Sequence, residues 1–265
     1  MAEIKIGPGG NVAGELVASL EELHRLSVPT MEVEFVRGIY LDNEAAKRAG
    51  EAAKRLKIDL SIHAPYYINL SSQEKEIIEA SKRRILQSCE RGHYLGAKAV
   101  VFHPGYYQKM DRKEVYQIIR EAVLDLMDAV KQKKWQVLLC PETTGKVNAF
   151  GSEEEILQLI DDTGCHCCID FAHVYARNQG KINYAEVLDK FKKLKHLQCH
   201  FSGIEYGDKG EIRHIPVGDH PPFKPLVEEL LRRKQSATFI CEALDPLEDA
   251  IKMQKIVDGL KGKPL

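Results

Sequence analysis

Short apolar runs alternate with longer amphipathic segments along the chain. Eight runs rich in apolar or β-branched residues predict strands at 3–7, 31–36, 59–63, 99–103, 136–142, 166–170, 197–201 and 238–243. Between them, apolar positions recur every three or four residues among many Lys and Glu residues. This spacing predicts helices, among them 43–57, 72–96, 112–134, 152–162, 183–194, 223–234 and 246–260. The pattern is that of an α/β fold.

Signals at the helix ends agree with this reading. Ser152 precedes Glu155 by three residues, and Ser71 and Ser72 precede Glu74, so both sites resemble capped N-termini. Gly96 and Gly164 follow the last apolar positions of two predicted helices, as C-terminal caps do. We see no linker-like break in composition, and therefore expect one domain over residues 1–265.

Eight strand–helix units over about 250 residues are typical of a (β/α)8 barrel. The competing architecture is a doubly wound open sheet, which usually carries a glycine-rich phosphate loop after its first strand. The segment at 7–14, GPGGNVAG, is glycine-rich but lacks the full spacing of that loop. The sequence therefore favours a single TIM barrel.

Composition narrows the class of partner. The formal net charge is −1, so an anionic partner would have to be attracted locally, by a few basic side chains or by bound cations. No apolar run approaches the length of a membrane span, and we expect no membrane partner. Most of the seven cysteines lie in apolar runs, which is typical of buried thiols in a reduced cytoplasmic protein.

Polar side chains stand at the ends of six predicted strands. They are His63, His103, Glu142, Asp170, His200 and Glu242, and His173 follows three residues after Asp170. In a TIM barrel these ends share one face, where active sites form. Such groups are costly to gather unless something pairs them. Mixed imidazole and carboxylate ligands suit zinc, or manganese where carboxylates dominate, and a shared carboxylate such as Glu142 can bridge two ions.

Six motifs carry a resemblance that runs in order along nearly the whole chain. They are SIHAPYYINL, VVFHPG, CPETTG, CIDFAHVYA, LQCHFSG and RHIPVG. Together they resemble the endonuclease IV family of apurinic/apyrimidinic endonucleases. The resemblance implies a (β/α)8 barrel that holds three zinc ions and cleaves the backbone of double-stranded DNA 5′ to an abasic site.

The resemblance also implies a role for each ligand. One zinc ion would be bound by His63 and His103, with Glu142 bridging to a second. Asp170, His200 and Glu242 would complete the second site, while His173 and His214 would serve a third. Because zinc lowers the pKa of bound water to about 7, no protein nucleophile is needed.

The same resemblance implies DNA contacts. Tyr66 and Tyr67 match a loop that inserts into DNA at the lesion, and an aromatic pair beside a metal site can stack on bases or wedge a kinked duplex. Alternatively, the two tyrosines pack over the barrel mouth. Arg37, after the second predicted strand, is a candidate to approach the backbone from the other side.

One motif departs from the family pattern. The third zinc site of the family uses an Asp-x-His pair, and Ile212 stands where that aspartate is expected. Glu211 is adjacent, but we expect it to point differently in an extended segment. Asp219 and His220 would substitute only if the loop folds back. The sequence thus predicts two or three zinc ions.

A sister group in the same superfamily offers an alternative. In sugar isomerases and epimerases, a set corresponding to Glu142, Asp170, His200 and Glu242 would hold one manganese ion, and paired glutamates would move a proton. Glu142 and Glu242 are the candidate catalytic residues. His63 and His103 argue against this reading, since a single-metal site does not need them. A non-catalytic nucleic-acid-binding or regulatory protein on the same scaffold is a third possibility.

Overall fold

The strands and helices alternate as expected. The structure, a computed structural model, describes residues 2–262; residues 1 and 263–265 of the predicted domain lie outside this range. Within the described residues the strands are β1 (Ile4–Pro8), β2 (Thr30–Glu34), β3 (Asp59–His63), β4 (Ala99–Phe102), β5 (Gly105–Tyr106), β6 (Leu138–Pro141), β7 (Ala149–Phe150), β8 (Cys168–Asp170), β9 (His196–Phe201), β10 (Gly203–Gly207), β11 (Gly210–Ile215) and β12 (Ser236–Cys241). The helices are α1 (Leu16–Arg25), α2 (Asn43–Leu56), α3 (Lys75–Leu95), α4 (Arg112–Gln132), α5 (Glu153–Thr163), α6 (Phe171–Arg177), α7 (Tyr184–Lys190), α8 (Phe223–Arg233) and α9 (Pro246–Lys261).

Eight parallel strands form a closed barrel. Two four-stranded sheets, with the orders β2-β3-β4-β6 and β1-β12-β9-β8, supply its two halves. Parallel bridges close both seams, one between Gly9 and Glu32 and the other between Glu142 and Cys168. The predicted TIM barrel is therefore confirmed. None of the described helices is long and apolar enough to cross a membrane.

Local signals fix most helix ends. Ser152 and Glu155 form a reciprocal capping box at the start of α5, as predicted. Gly96 and Gly164 adopt the left-handed conformation at the ends of α3 and α5. The predicted cap at Ser71 and Ser72 is wrong, because α3 begins at Lys75 and its N-terminus has no side-chain cap.

The barrel wall separates two environments. Alternate strand side chains such as Met31, Val33 and Leu60 point outward and join the large apolar core under the helices. Inside the barrel, one wall is a small apolar cluster of Ala99, Val101, Cys140 and Cys168. The other wall carries polar groups, described below. All seven cysteines are free and buried, as expected of small apolar side chains.

The segment after β9 forms a hairpin. Strands β10 and β11 pair antiparallel, with Glu205 opposite Arg213 and Tyr206 opposite Glu211. Ile212 is the extra residue between these pairs and forms a β-bulge. The helical segment after β8 is also divided into α6 and α7. Both features lie on the face where the strands end.

Candidate metal centre

The polar strand ends converge on one side of the barrel. His63 and Asp170 are the last residues of β3 and β8, and Glu142 and Glu242 follow β6 and β12 directly. Parallel strands bring these positions to the same face. An open cavity of about 410 Å³ lies at this face, lined in part by His63, His103, His173, His214 and Glu242.

Glu142 is the centre of the cluster. Its Oε2 atom lies 3.2 Å from His63 Nε2 and 3.0 Å from His103 Nε2. Its Oε1 atom lies 3.1 Å from His200 Nδ1. These separations are near the roughly 3.3 Å edge of a tetrahedron with zinc–ligand distances of about 2.0 Å. The two oxygens of one carboxylate therefore face two different sets of ligands.

The side chains form three groups with metal-ligand spacing. In each group one ligand atom per residue lies within 4.8 Å of the others. The first group is His63, His103 and Glu142, and the second is Glu142, Asp170, His200 and Glu242. The third group is Asp170, His173 and His214. Every metal ligand expected from the sequence falls in at least one group. The clusters are consistent with divalent metal ions.

Hydrogen bonds at the opposite ring nitrogens orient three of the histidines. His63 Nδ1 lies 2.8 Å from the carbonyl oxygen of Ala64, and His173 Nδ1 lies 3.0 Å from that of Thr143. A carbonyl oxygen only accepts, so each Nδ1 carries a proton, and Nε2 has the lone pair once the ring is neutral. His214 Nδ1 shares a 2.8 Å hydrogen bond with Ser202 Oγ. This bond leaves the Nε2 atom of His214 free to face the cavity.

The donor set fits cations. Asp170 Oδ2 and His173 Nε2 are buried without a hydrogen-bond partner. Among the described residues, the ion pairs of Glu142, Asp170 and Glu242 are all with histidines and none is with lysine or arginine. Buried carboxylates require compensation, and neutral imidazoles provide little. Bound metal ions would supply the missing positive charge.

The pKa shifts in the metal-free protein also indicate that the centre requires positive charge. Burial alone would raise the pKa of Glu142, but His103 and His200 hold it well below its usual range. Burial would lower the pKa of His63, but the adjacent Glu142 raises it to about 9. The pKa of Glu242 is lowered to about 2, against the effect of burial, chiefly by His200. Protons on the imidazoles thus take the place that cations would occupy.

Glu211, which was not expected to face the third group, lies beside two of its histidines. Glu211 Oε2 lies 3.4 Å from His173 Nε2, and Glu211 Oε1 lies 4.0 Å from His214 Nε2. In a regular strand Glu211 and His214, three positions apart, would face opposite sides. The bulge at Ile212 adds one residue and brings both to the same side. The expectation that Glu211 points elsewhere was therefore wrong.

The neighbouring backbone holds Glu211 in this position. Its N–H donates to the carbonyl oxygen of Gly145 at 3.1 Å. A Cβ atom on Gly145 would lie 2.7 Å from Glu211 Cβ and 3.0 Å from His173 Cδ2, so only glycine fits there without a shift. Ile212, where the resemblance implied an aspartate, is 57% exposed. The neighbouring Glu211 is the acidic residue of the hairpin that lies beside His173.

Two further acidic residues escaped the sequence analysis. Glu32 and Glu34 alternate with Met31 and Val33 in an apolar run, and therefore face the barrel interior. Glu34 lines the cavity, and burial together with the adjacent Glu242 raises its pKa to about 7. The sequence signal that could have identified both residues is their alternation with core residues along the strand.

The candidate DNA contacts lie around the cavity. Tyr66 and Tyr67 follow β3 and are 60% and 63% exposed. The Tyr66 ring centroid is 6.1 Å from that of His63, and Tyr66 lines the cavity. Arg37 is exposed after β2, outside the cavity lining. The tyrosines are thus available to a ligand and do not close the mouth.

Other polar residues of the mouth are engaged elsewhere. Arg177 Nη1 donates to the carbonyl oxygens of Lys146 and Ala149 at 2.6 and 3.1 Å, and so holds a loop in place. His220 Nδ1 lies 3.1 Å from Tyr175 Oη, and Asp219 is exposed. Neither His220 nor Asp219 compensates for Ile212.

Comparison with known proteins places these features in a family. The model of the xylose isomerase-like TIM barrel family matches residues 20–258. An uncharacterized protein of Methanocaldococcus jannaschii is 36% identical over 253 residues, which cover 91% of this chain and 92% of that protein. A probable endonuclease 4 of Mycobacterium leprae is 27% identical over 195 residues, 68% of this chain and 73% of its own. A crystal structure of a D-tagatose 3-epimerase-like protein has a TM-score of 0.76 at 18% identity and covers 97% of both chains, a likeness of fold.

Metal affinity should depend on pH. With its pKa raised to about 9, His63 is protonated near pH 7 in the metal-free protein, and this proton must leave before the ring can bind a metal ion. We expect the apparent zinc affinity to rise between about pH 6.5 and 8.5, by up to about tenfold per pH unit for each proton released. Competition with a chelator of known pH dependence measures this slope. A slope that is flat, or unchanged in His63→Ala, would contradict the assignment.

Glu211 should be needed for one of the bound ions. We expect Glu211→Gln to lower the affinity for one zinc ion by at least about tenfold, since a charged ligand is lost while its histidine partners remain. Zinc counts after dialysis against graded chelator measure this loss. Ile212→Asp is the matched control, and should leave the count unchanged because its side chain points to solvent. Loss of no ion in Glu211→Gln, or gain of one in Ile212→Asp, would show that the hairpin is built differently.

Proposed function

The chain belongs to the xylose isomerase-like TIM barrel family, and we propose that this metal-dependent enzyme is a zinc-dependent endonuclease that cleaves the DNA backbone 5′ to abasic sites. One observation carries the proposal. The two oxygens of Glu142 face two separate ligand sets, His63 with His103 and the group that includes His200. Paired metal sites that share a carboxylate are typical of enzymes that cleave phosphodiesters.

The residues of the centre would have different roles in a hydrolase. When bound, zinc ions supply Lewis acidity toward phosphate oxygens and lower the pKa of water to about 7. Glu142 holds the two ligand sets together, and Glu242 with Asp170 completes the more acidic set. Glu211, His173 and His214 provide a third set at the rim of the same cavity. The protein therefore needs no side-chain nucleophile.

The surroundings of the centre support a nucleic-acid substrate. Tyr66 and Tyr67 are exposed aromatic side chains beside the metal groups, suited to stack on bases or to wedge a duplex. Arg37 is an exposed cation next to the same loop, since the Tyr66 N–H donates to the carbonyl oxygen of Val36 at 3.2 Å, and there it would contact the DNA backbone. Because the net charge is only −1, bound cations would provide most of the attraction for phosphate. The relative named as a probable endonuclease 4 supports the same reading.

A sugar epimerase is the second candidate. Glu142, Asp170, His200 and Glu242 form a complete four-ligand group by themselves, as a single-metal enzyme requires. Glu34 adds an acidic group at the mouth, able to accept hydrogen bonds from sugar hydroxyls. On this alternative, Glu142 and Glu242 would be the pair that moves a proton. His63 and His103, gathered on Glu142, have no place in it, and so we favour the endonuclease.

The endonuclease should nick a duplex that carries a single abasic analogue. We expect zinc-loaded protein to cut a tetrahydrofuran-containing duplex 5′ to the lesion, and a chelator to abolish the cut. His63→Ala/His103→Ala should lose nicking by at least about a thousandfold, because one set of ligands is removed. Gel analysis of end-labelled DNA measures the rate.

Two controls make this result decisive. His24→Ala/His93→Ala changes two histidines in the last turns of α1 and α3, outside the metal groups, and should leave nicking unaltered. Incubation of the manganese-loaded protein with ketohexoses tests the epimerase. Absence of chelator-sensitive nicking at stoichiometric protein, with zinc or manganese supplied, would refute the endonuclease. C3 epimerisation that survives in His63→Ala/His103→Ala would establish the alternative.

A further inference from the structure

A carboxylate lies inside the barrel below the metal groups. Glu32, on β2, is fully buried, and its Oε1 atom lies 2.9 Å from His200 Nε2. Its other oxygen accepts a 2.6 Å hydrogen bond from Ser61 Oγ. Glu32 Oε1 and His200 Nε2 are both buried, and neither atom has a hydrogen-bond partner among the described residues. Their 2.9 Å approach is an ion-pair contact whose geometry in this metal-free structure falls short of a hydrogen bond.

Packing alone does not explain a carboxylate at this depth. Removing an acidic group from water costs several kcal/mol unless it is paired. The facing wall of the barrel is filled by small apolar side chains, Val101 and Cys140 among them, so the interior accepts apolar residues. Within residues 2–262, Glu32 forms no ion pair with lysine or arginine. The group that can balance the charge of Glu32 is the His200 ring.

His200 is held differently from the other histidines of the centre. His63, His173 and His214 have their Nδ1 atoms bonded to backbone or serine oxygens, and so present Nε2. The His200 ring is reversed, and its Nδ1 lies 3.1 Å from Glu142 Oε1 and 3.3 Å from Glu242 Oε1. An Nε2–H that donates to Glu32 would leave Nδ1 unprotonated, with its lone pair toward these carboxylates.

We propose that Glu32 is a positioning residue that fixes the ring orientation and tautomer of His200, and thereby sets the affinity of the Glu142, Asp170, His200 and Glu242 group for its metal ion. Carboxylates that accept from a ligating histidine commonly play this part. The proposal rests on the metal binding in the proposed function and not on the DNA substrate. Metal affinity and nicking are therefore separate results.

A short polar column holds Glu32 in turn. Gln198 Nε2 donates to Ser61 Oγ at 3.4 Å, and Ser61 donates to Glu32. Gln198 and Ser61 also line a cavity of about 410 Å³ at the end of the barrel opposite the metal groups. The column thus runs along the barrel interior from this cavity to His200. Ser61 orients the carboxylate but does not touch the ring, so its loss should have a smaller effect than loss of Glu32.

The test compares three substitutions in otherwise intact protein. Glu32→Ala removes the acceptor, Glu32→Gln replaces it with an uncharged amide of the same shape, and Ser61→Ala is the matched control. Zinc affinity is measured by chelator competition. Long-range ¹H–¹⁵N spectra of the metal-free and zinc-loaded proteins report the tautomer of His200, identified with His200→Asn. His63 is the internal reference, because its Nδ1 is held by a backbone carbonyl.

We expect Glu32→Ala to lower the affinity for one zinc ion by about 10–100-fold, Glu32→Gln by about tenfold, and Ser61→Ala by less. In both Glu32 variants the His200 spectrum of the metal-free protein, taken at a pH where the ring is neutral, should lose its single Nε2–H form, while that of His63 stays the same. If Glu32→Ala does not fold, Glu32→Gln decides alone. Wild-type zinc affinity in a folded Glu32→Gln or Glu32→Ala variant, or a metal-free His200 spectrum that keeps its Nε2–H form under these conditions, would overturn the proposal.

Discussion

The structure depends on a concentration of buried negative charge at one end of a barrel. Glu142, Asp170 and Glu242 lie within hydrogen-bonding range of imidazoles and not of lysine or arginine among the described residues. Protonated histidines balance this charge in the absence of metal, as the raised pKa of His63 shows. Divalent cations would balance it better, since they bind several of these ligands at once.

Much of this centre could be predicted, because the position of a residue at the end of a barrel strand determines the face on which it lies. The residues at the ends of β3, β6 and β8 must share a face once the strands are parallel, and Glu142 then falls between its neighbours. The same reasoning failed at Glu211, because strand alternation was applied to a segment that contains a bulge. A bulge depends on the register of two paired strands, which no local signal in residues 210–215 specifies.

Glu32 and Glu34 show a second limit. In a run where every other residue is apolar and buried, an acidic residue is ordinarily read as facing solvent. In a closed barrel the second face of a strand is also interior, so both faces of β2 are removed from bulk water. These outcomes depend on tertiary contacts that the sequence pattern does not contain.

The number of metal ions per chain separates the accounts most directly. Crystals grown with zinc and measured at the zinc absorption edge would locate each ion without reference to activity. We expect three anomalous peaks: one between His63 and His103, one at His200 and one at Glu211, with Glu142 shared by the first two. A single peak at the group of Asp170, His200 and Glu242 would contradict the endonuclease and leave the single-metal enzyme.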